Sequence, residues 1–262
     1  MNYLQKELEV ALKAIKEASK VVMEIYHDDF TINIKSDNSE VTNADISSEK
    51  IIRNHLINNF PEYSILSEET TDSLDRLNND YCFIVDPLDG TKDFVNKTDN
   101  FAINIALAYK NEIVLGVISV PCKKLIYYAI KGQGAYKIDN DNIEKIHVSK
   151  NVDKLTMVTS KFFSKGNSKY ENNKLINKMV SIGSSYKACL IAEGQADICI
   201  KEDPYTKEWD TAPSEIILKE AGGIMTNLFG EVIKYNKKDV YNHDGFIIAN
   251  SNEVLNHFKK ER

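Results

Sequence analysis

The apolar run Tyr81-Cys82-Phe83-Ile84-Val85 passes without a break into Asp86-Pro87-Leu88-Asp89-Gly90-Thr91-Lys92-Asp93-Phe94, and this join restricts the chain more than any other stretch. The run is short, continuous and rich in aromatic and β-branched residues, which reads as a buried strand. Pro87 cannot donate to a strand ladder, and Gly90 admits a tight or left-handed backbone, so pairing should end in a turn that brings the main chain close to a ligand. Asp86 and Asp89 then converge beside Thr91. Two aspartates held that close repel unless a proton or a cation lies between them, and a hard divalent ion such as Mg²⁺ takes all-oxygen ligands, including the backbone carbonyl that Leu88 offers. A plain surface turn is the alternative, because Asp, Pro and Gly are common turn formers.

At 262 residues the chain is long enough for one large domain or two tightly joined halves. Its 42% apolar and 27% charged residues are ordinary for a globular protein. A net charge of -6 argues against nucleic acid as a partner, since a duplex binder needs a positive field. A small anionic substrate remains open if a metal inverts the charge locally. The first twenty residues carry charges throughout, and no run reaches membrane-spanning length, so a cytoplasmic protein without a membrane span is expected, as a monomer or homodimer. Cys82, Cys122, Cys189 and Cys199 lie far apart with no Cys-x-x-Cys pair, which makes them buried free thiols rather than a zinc site.

Apolar residues at three- and four-residue spacing predict an amphipathic helix over residues 3–26, and a second follows over 46–60 with Asp45 near its start. Asp45 there reads as an N-cap, as a catalytic group, or as both at once. Ser64-Ile65-Leu66 reads as a short strand ending at Ser67-Glu68-Glu69-Thr70, and residues 70–80 as loop. From Phe101 to Val148 the short connections predict antiparallel hairpins, with Gly132-Gln133-Gly134 a hairpin turn. Near residue 150 strands and helices begin to alternate, which places a soft boundary between an α+β half, 1–149, and an α/β half, 150–262. In the second half, 156–160 reads as a strand, 172–180 as a helix, 186–194 as a helix, 196–200 as a strand, and 209–223 as a helix stopped by Gly222-Gly223. Short strands at 224–226 and 246–249 and a C-terminal helix complete the order.

Asp86-Pro87-Leu88-Asp89-Gly90-Thr91 resembles the signature of the inositol monophosphatase family of Mg²⁺-dependent, lithium-sensitive phosphatases. Val41-Thr42-Asn43-Ala44-Asp45, Glu68-Glu69, Trp209-Asp210-Thr211-Ala212 and Glu220-Ala221-Gly222-Gly223 are similar to the family's other elements in the same order. The resemblance implies a layered αβαβα sandwich and two or three Mg²⁺ ions. It implies that Glu68, Asp86 and the Leu88 carbonyl hold the ion that activates water, while Asp86, Asp89 and Asp210 hold the ion facing the leaving oxygen. Asp45 and Thr91 then orient and deprotonate the attacking water, Glu69 supports that water or a further ion, and the Gly90 and Thr91 N–H groups bind phosphate oxygens.

Within the family, Thr91-Lys92-Asp93-Phe94, Gly183-Ser184-Ser185-Tyr186-Lys187 and Lys207-Glu208-Trp209-Asp210 look closest to the 3'(2'),5'-bisphosphate nucleotidase branch, which converts phosphoadenosine phosphate to AMP. This implies substrate contacts from Ser184, Lys187, Glu208 and Asp210. Lys187 would supply a cation for a second phosphate. Where that branch commonly carries Ser-Arg-Ser-His, this chain has Ser160-Lys161-Phe162-Phe163, and Phe163 is either a stacking platform for a base or a core residue. An inositol or other sugar monophosphatase, and a non-catalytic metal or nucleotide sensor, are the competing readings.

Overall fold

The computed structural model describes residues 4–35, 40–160 and 170–262. Helix α1 (Gln5–His27) buries Leu8, Ala11, Ile15, Ala18 and Val22 on the stripe set by their spacing. A ribbon of β1 (Ile32–Ile34) and β2 (Glu40–Thr42) leads into α2 (Asn43–Asn59), whose first turn is capped by Thr42. Next come β3 (Ser64–Ser67), a 3₁₀ turn at Asp75–Asn78, β4 (Tyr81–Asp89) and the short α3 (Thr91–Val95). A meander of β5 (Ala102–Tyr109), β6 (Glu112–Val120), β7 (Leu125–Ile130), β8 (Gly134–Asp139) and β9 (Asn142–Ile146) follows. Strands β3 to β9 form one sheet in chain order, parallel between β3 and β4 and antiparallel at every later pair.

Beyond residue 150 lie β10 (Leu155–Thr159), β11 (Ile176–Ser181), α4 (Tyr186–Ala192), β12 (Ile198–Lys201), α5 (Glu208–Glu220), β13 (Ile224–Thr226), β14 (Phe246–Ala249) and α6 (Asn252–Phe258). The second sheet has the order β11-β10-β12-β14-β13, parallel around β10 and antiparallel around β14. The helix expected over 172–180 is corrected to β11. The Asn173 side chain accepts the Leu175 N–H at 2.9 Å, forming an Asx turn that competes with helix, and the residues after it pair in parallel with β10. That pairing is made with the preceding strand, outside any local window, so local periodicity could not report it.

Alternation along β4 shows how the layers stack. Phe83 and Val85 pack into a cluster with α1 and α2, whereas Cys82 and Ile84 face the opposite cluster, shared with α4 and α5. That cluster also takes Val158, Cys199, Phe246 and Ile248 from the second sheet, whose other face packs against Val254, Leu255 and Phe258 of α6. The order is helices, seven-stranded sheet, helices, five-stranded sheet, helix: an αβαβα sandwich. Gly116 on β6 permits the close seating of α5, because a Cβ there would lie 2.6 Å from Ile216 and 2.8 Å from the Pro213 carbonyl. No helix among the described residues is long and apolar enough to cross a membrane.

Candidate active site

The site forms where β4 breaks its own regularity. Asp86 pairs with Asn104 and Asp89 with Ala102, so three steps along β4 match two along β5, which is a β-bulge. In a regular strand residues three apart face opposite ways; the extra residue turns Asp89 to the side of Asp86. The bulge is held locally: Leu88 N–H donates to Asp86 Oδ1 at 3.0 Å, and the Ser48 hydroxyl donates to the Pro87 carbonyl at 2.7 Å. Gly90 follows with φ +89°, and a Cβ there would stand 3.3 Å from Ser184 Cβ, so the turn lies against the second half of the chain.

Helix α5 supplies the third carboxylate. Asp210 sits in its first turn and accepts the Lys207 N–H at 2.6 Å, while ligand-type oxygens of Asp86, Asp89 and Asp210 all lie within 4.8 Å of one another. Burial, then the charge of Glu68, Asp89 and Asp210, pushes the Asp86 carboxyl well above its usual range. Burial, then Asp89 and Glu68, pushes Asp210 up to about 8. Burial also raises Asp89, opposed by the nearby Lys187 charge. Glu68 lies just past β3 and donates its N–H to the Val85 carbonyl; its carboxylate is 3.0 Å from Lys35 Nζ, which also meets Glu69 at 2.6 Å. Burial pushes Glu69 up to about 7. Acids crowded this way need a positive charge to ionise together, and an all-oxygen set fits a hard divalent cation.

Beside the cluster stands a differently supported acid. Asp45 Oδ2 accepts from the Thr42 N–H at 2.8 Å and the Thr42 hydroxyl at 2.6 Å, a capping box at the start of α2. Its other oxygen accepts the Thr91 hydroxyl at 3.3 Å, which also lies 3.3 Å from the Leu88 carbonyl. Burial pushes Asp45 up to about 6 against the opposing Thr42 hydrogen bonds. Capping and contact with Thr91 are thus served by different oxygens of one side chain.

Glu68, Asp86, Leu88, Asp89, Gly90, Thr91, Ser184, Lys187 and Asp210 all line one cavity of about 470 Å³. Lys187, on α4, also donates to the Ser184 carbonyl at 2.6 Å. Glu208, expected among the substrate contacts, is wholly buried, accepting the N–H groups of Asn236 at 2.6 Å and Lys237 at 2.9 Å, and is not among the residues lining this cavity. Phe163 lies outside the described residues. Two contributors escaped the sequence reading. Asn104 bonds to Asp89, and its signal was a polar residue inside the apolar run Phe101–Leu107. Arg76 is buried, donating to Asn236 Oδ1 and the Lys237 carbonyl, and nothing in its polar surroundings marked it.

A profile described as the inositol monophosphatase family matches residues 3–261. This chain belongs to the inositol monophosphatase family. It is 32% identical to the 3'(2'),5'-bisphosphate nucleotidase CysQ of Salmonella typhimurium, over 92% of this chain and 99% of that one. It is 28% identical to the Nus factor SuhB of Pasteurella multocida, over 85% of each. The crystal structure of CysQ from Bacteroides thetaiotaomicron superposes with a TM-score of 0.82 at 34% identity, covering 95% of this chain and 99% of that one. Family and relatives together support a phosphatase. The convergence of carboxylates from β4 and α5 is the feature that such a family member needs for its metal chemistry.

Proposed function

We propose that the chain is a Mg²⁺-dependent phosphatase that removes the 3'-phosphate of 3'-phosphoadenosine 5'-phosphate, leaving AMP. The observation that carries this reading is the meeting of Asp86, Asp89 and Asp210 within 4.8 Å, in the same cavity as Thr91, which is bonded to Asp45. Relatives described as bisphosphate nucleotidases at 30% identity or above support the substrate.

Asp86, Asp89, Asp210, Glu68 and the Leu88 carbonyl would hold the cations, which supply charge neutralisation of the phosphate and a water of lowered pKa. The chain's own work is positioning. The Thr91 hydroxyl, fixed between Asp45 and the Leu88 carbonyl, orients the attacking water. Asp45 takes the proton that the water loses, a task suited to a carboxyl held near 6. The Gly90 and Thr91 N–H groups face phosphate oxygens, and Lys187 on the cavity wall, with Ser184 beside it, takes the second phosphate.

A sugar monophosphatase on the same fold is the second reading. It is favoured by Ser160-Lys161-Phe162-Phe163 standing where nucleotidases commonly carry Ser-Arg-Ser-His. Phosphate release from 3'-phosphoadenosine 5'-phosphate and from inositol 1-phosphate, measured side by side with Mg²⁺, decides between them. The first reading expects clear preference for the nucleotide; preference for the inositol ester overturns it.

A further inference from the structure

Asn104 is fully buried in the middle of β5, where it interrupts a run of apolar residues. Its Nδ2 donates to Asp89 Oδ2 at 3.3 Å and to the Trp209 carbonyl at 3.2 Å, and its Oδ1 accepts the Ser185 hydroxyl at 2.7 Å. Two acceptors on one side and a hydroxyl donor on the other fix which way the amide points, because the flipped amide would set an oxygen against two oxygens. The Trp209 carbonyl is free for a reason written into the sequence. In a regular helix it would accept the N–H of the residue four positions on; that residue is Pro213, inside α5, and proline has none.

One amide thus joins the end of β4, the middle of β5, the residue before α4 and the first turn of α5. Asp89 and the Asp210 helix turn come from segments more than a hundred residues apart, and Asn104 is bonded to both. Ser185 adds a second tie, since its N–H also donates to Asp89.

We propose that Asn104 is a positioning residue for the cation site: it sets where Asp89 stands relative to Asp210, and Pro213 serves that role by leaving the Trp209 carbonyl open. The inference rests on the metal reading of Asp86, Asp89 and Asp210. It goes beyond that reading in assigning cation affinity to a side chain that touches neither ion nor substrate. Groups that orient metal ligands from behind typically change affinity by about 10–100-fold when removed.

The test is Mn²⁺ binding to the metal-free full chain, read from the electron paramagnetic resonance signal of free Mn²⁺, with thermal melting alongside. Asn104→Leu removes the amide but strands the Trp209 carbonyl, so the informative chain is Asn104→Leu/Pro213→Ala, in which the backbone N–H restored by the second substitution returns the helical bond. The expected result is that the double variant melts closer to the parent than Asn104→Leu does, yet binds Mn²⁺ roughly tenfold or more weakly. Recovery of affinity together with stability would mean a purely structural amide and overturns the proposal. Should the double variant not fold, Asn104→Ser decides: one hydroxyl donor replaces the two amide donors shared by Asp89 and the Trp209 carbonyl, while the Ser185 contacts with Asp89 stay. A severalfold weaker affinity, measured well below the melting temperature, supports the proposal, and parental affinity overturns it. Absence of Mn²⁺ binding by the parent chain would instead overturn the metal site itself.

Discussion

Glu208 and Asp210 stand two residues apart in the first turn of the same helix, and the protein treats them in opposite ways. Glu208 points inward to two backbone N–H groups, from Asn236 and Lys237, and Arg76 binds that same segment through Asn236 and the Lys237 carbonyl. Asp210 points into the cleft, where it meets the Lys207 N–H and then other acids. Burial raises both carboxyls, Glu208 to about 7 and Asp210 to about 8, but nearby N–H groups oppose the rise at Glu208 whereas Asp89 and Glu68 add to it at Asp210. A buried acid facing donors is a fastening. One facing other acids calls for positive charge.

Substitution at the two positions should therefore separate activity from stability. Asp210→Asn keeps an oxygen for the Lys207 N–H but withdraws one carboxylate from the cluster. Phosphate release is expected to fall on the order of 10³-fold, while melting without divalent cations should rise because repulsion is relieved. A drop in stability with activity preserved would reverse the assignment. Glu208→Ala strands two buried N–H groups at about 1–3 kcal/mol each. Its expected cost is roughly 2–6 kcal/mol, read as a lower denaturation midpoint at unchanged slope. If Glu208→Ala instead left stability intact and abolished turnover, Glu208 would belong with the substrate contacts after all.

The same pair shows what sequence can carry. Both residues lie in Lys207-Glu208-Trp209-Asp210, and nothing local says which acid turns inward, because the choice is made by Asn236 and Lys237 from a distant loop. Strand and helix order was legible because it follows local periodicity, and the layering followed from it through resemblance. The strand at Ile176–Ser181 was not, since its pairing with the preceding strand β10 lies outside a local window and half of its residues are polar. Asp86 and Asp89 were legible as neighbours, but a two-residue period sets them on opposite faces. Only the pairing of β4 with β5 reveals the bulge that reunites them.

Asp45 extends the contrast to a third kind of acid, facing hydroxyl and N–H donors on one side and the reaction on the other. Its carboxyl is pushed up from 3.8 to about 6, chiefly by burial. The group that accepts a proton from water must itself be proton-free, so kcat/KM should fall about tenfold per pH unit on its acid side and level off above it. Saturating Mg²⁺ should set that limb below the value of about 6 for the cation-free carboxyl, because nearby positive charge favours the ionised form. The stability effect has the opposite sense. Because the folded form holds this proton more tightly than the unfolded form, Asp45 contributes stability at pH 3.8 and below that is lost as pH rises to 6, about 3 kcal/mol in all. Asp45→Asn should remove both dependences together. The asparagine variant, slowed on the order of 10²–10⁴-fold, should melt with a flatter pH profile than the parent across that window. An acid limb that persists in residual activity after the substitution would show that another group, rather than Asp45, receives the proton.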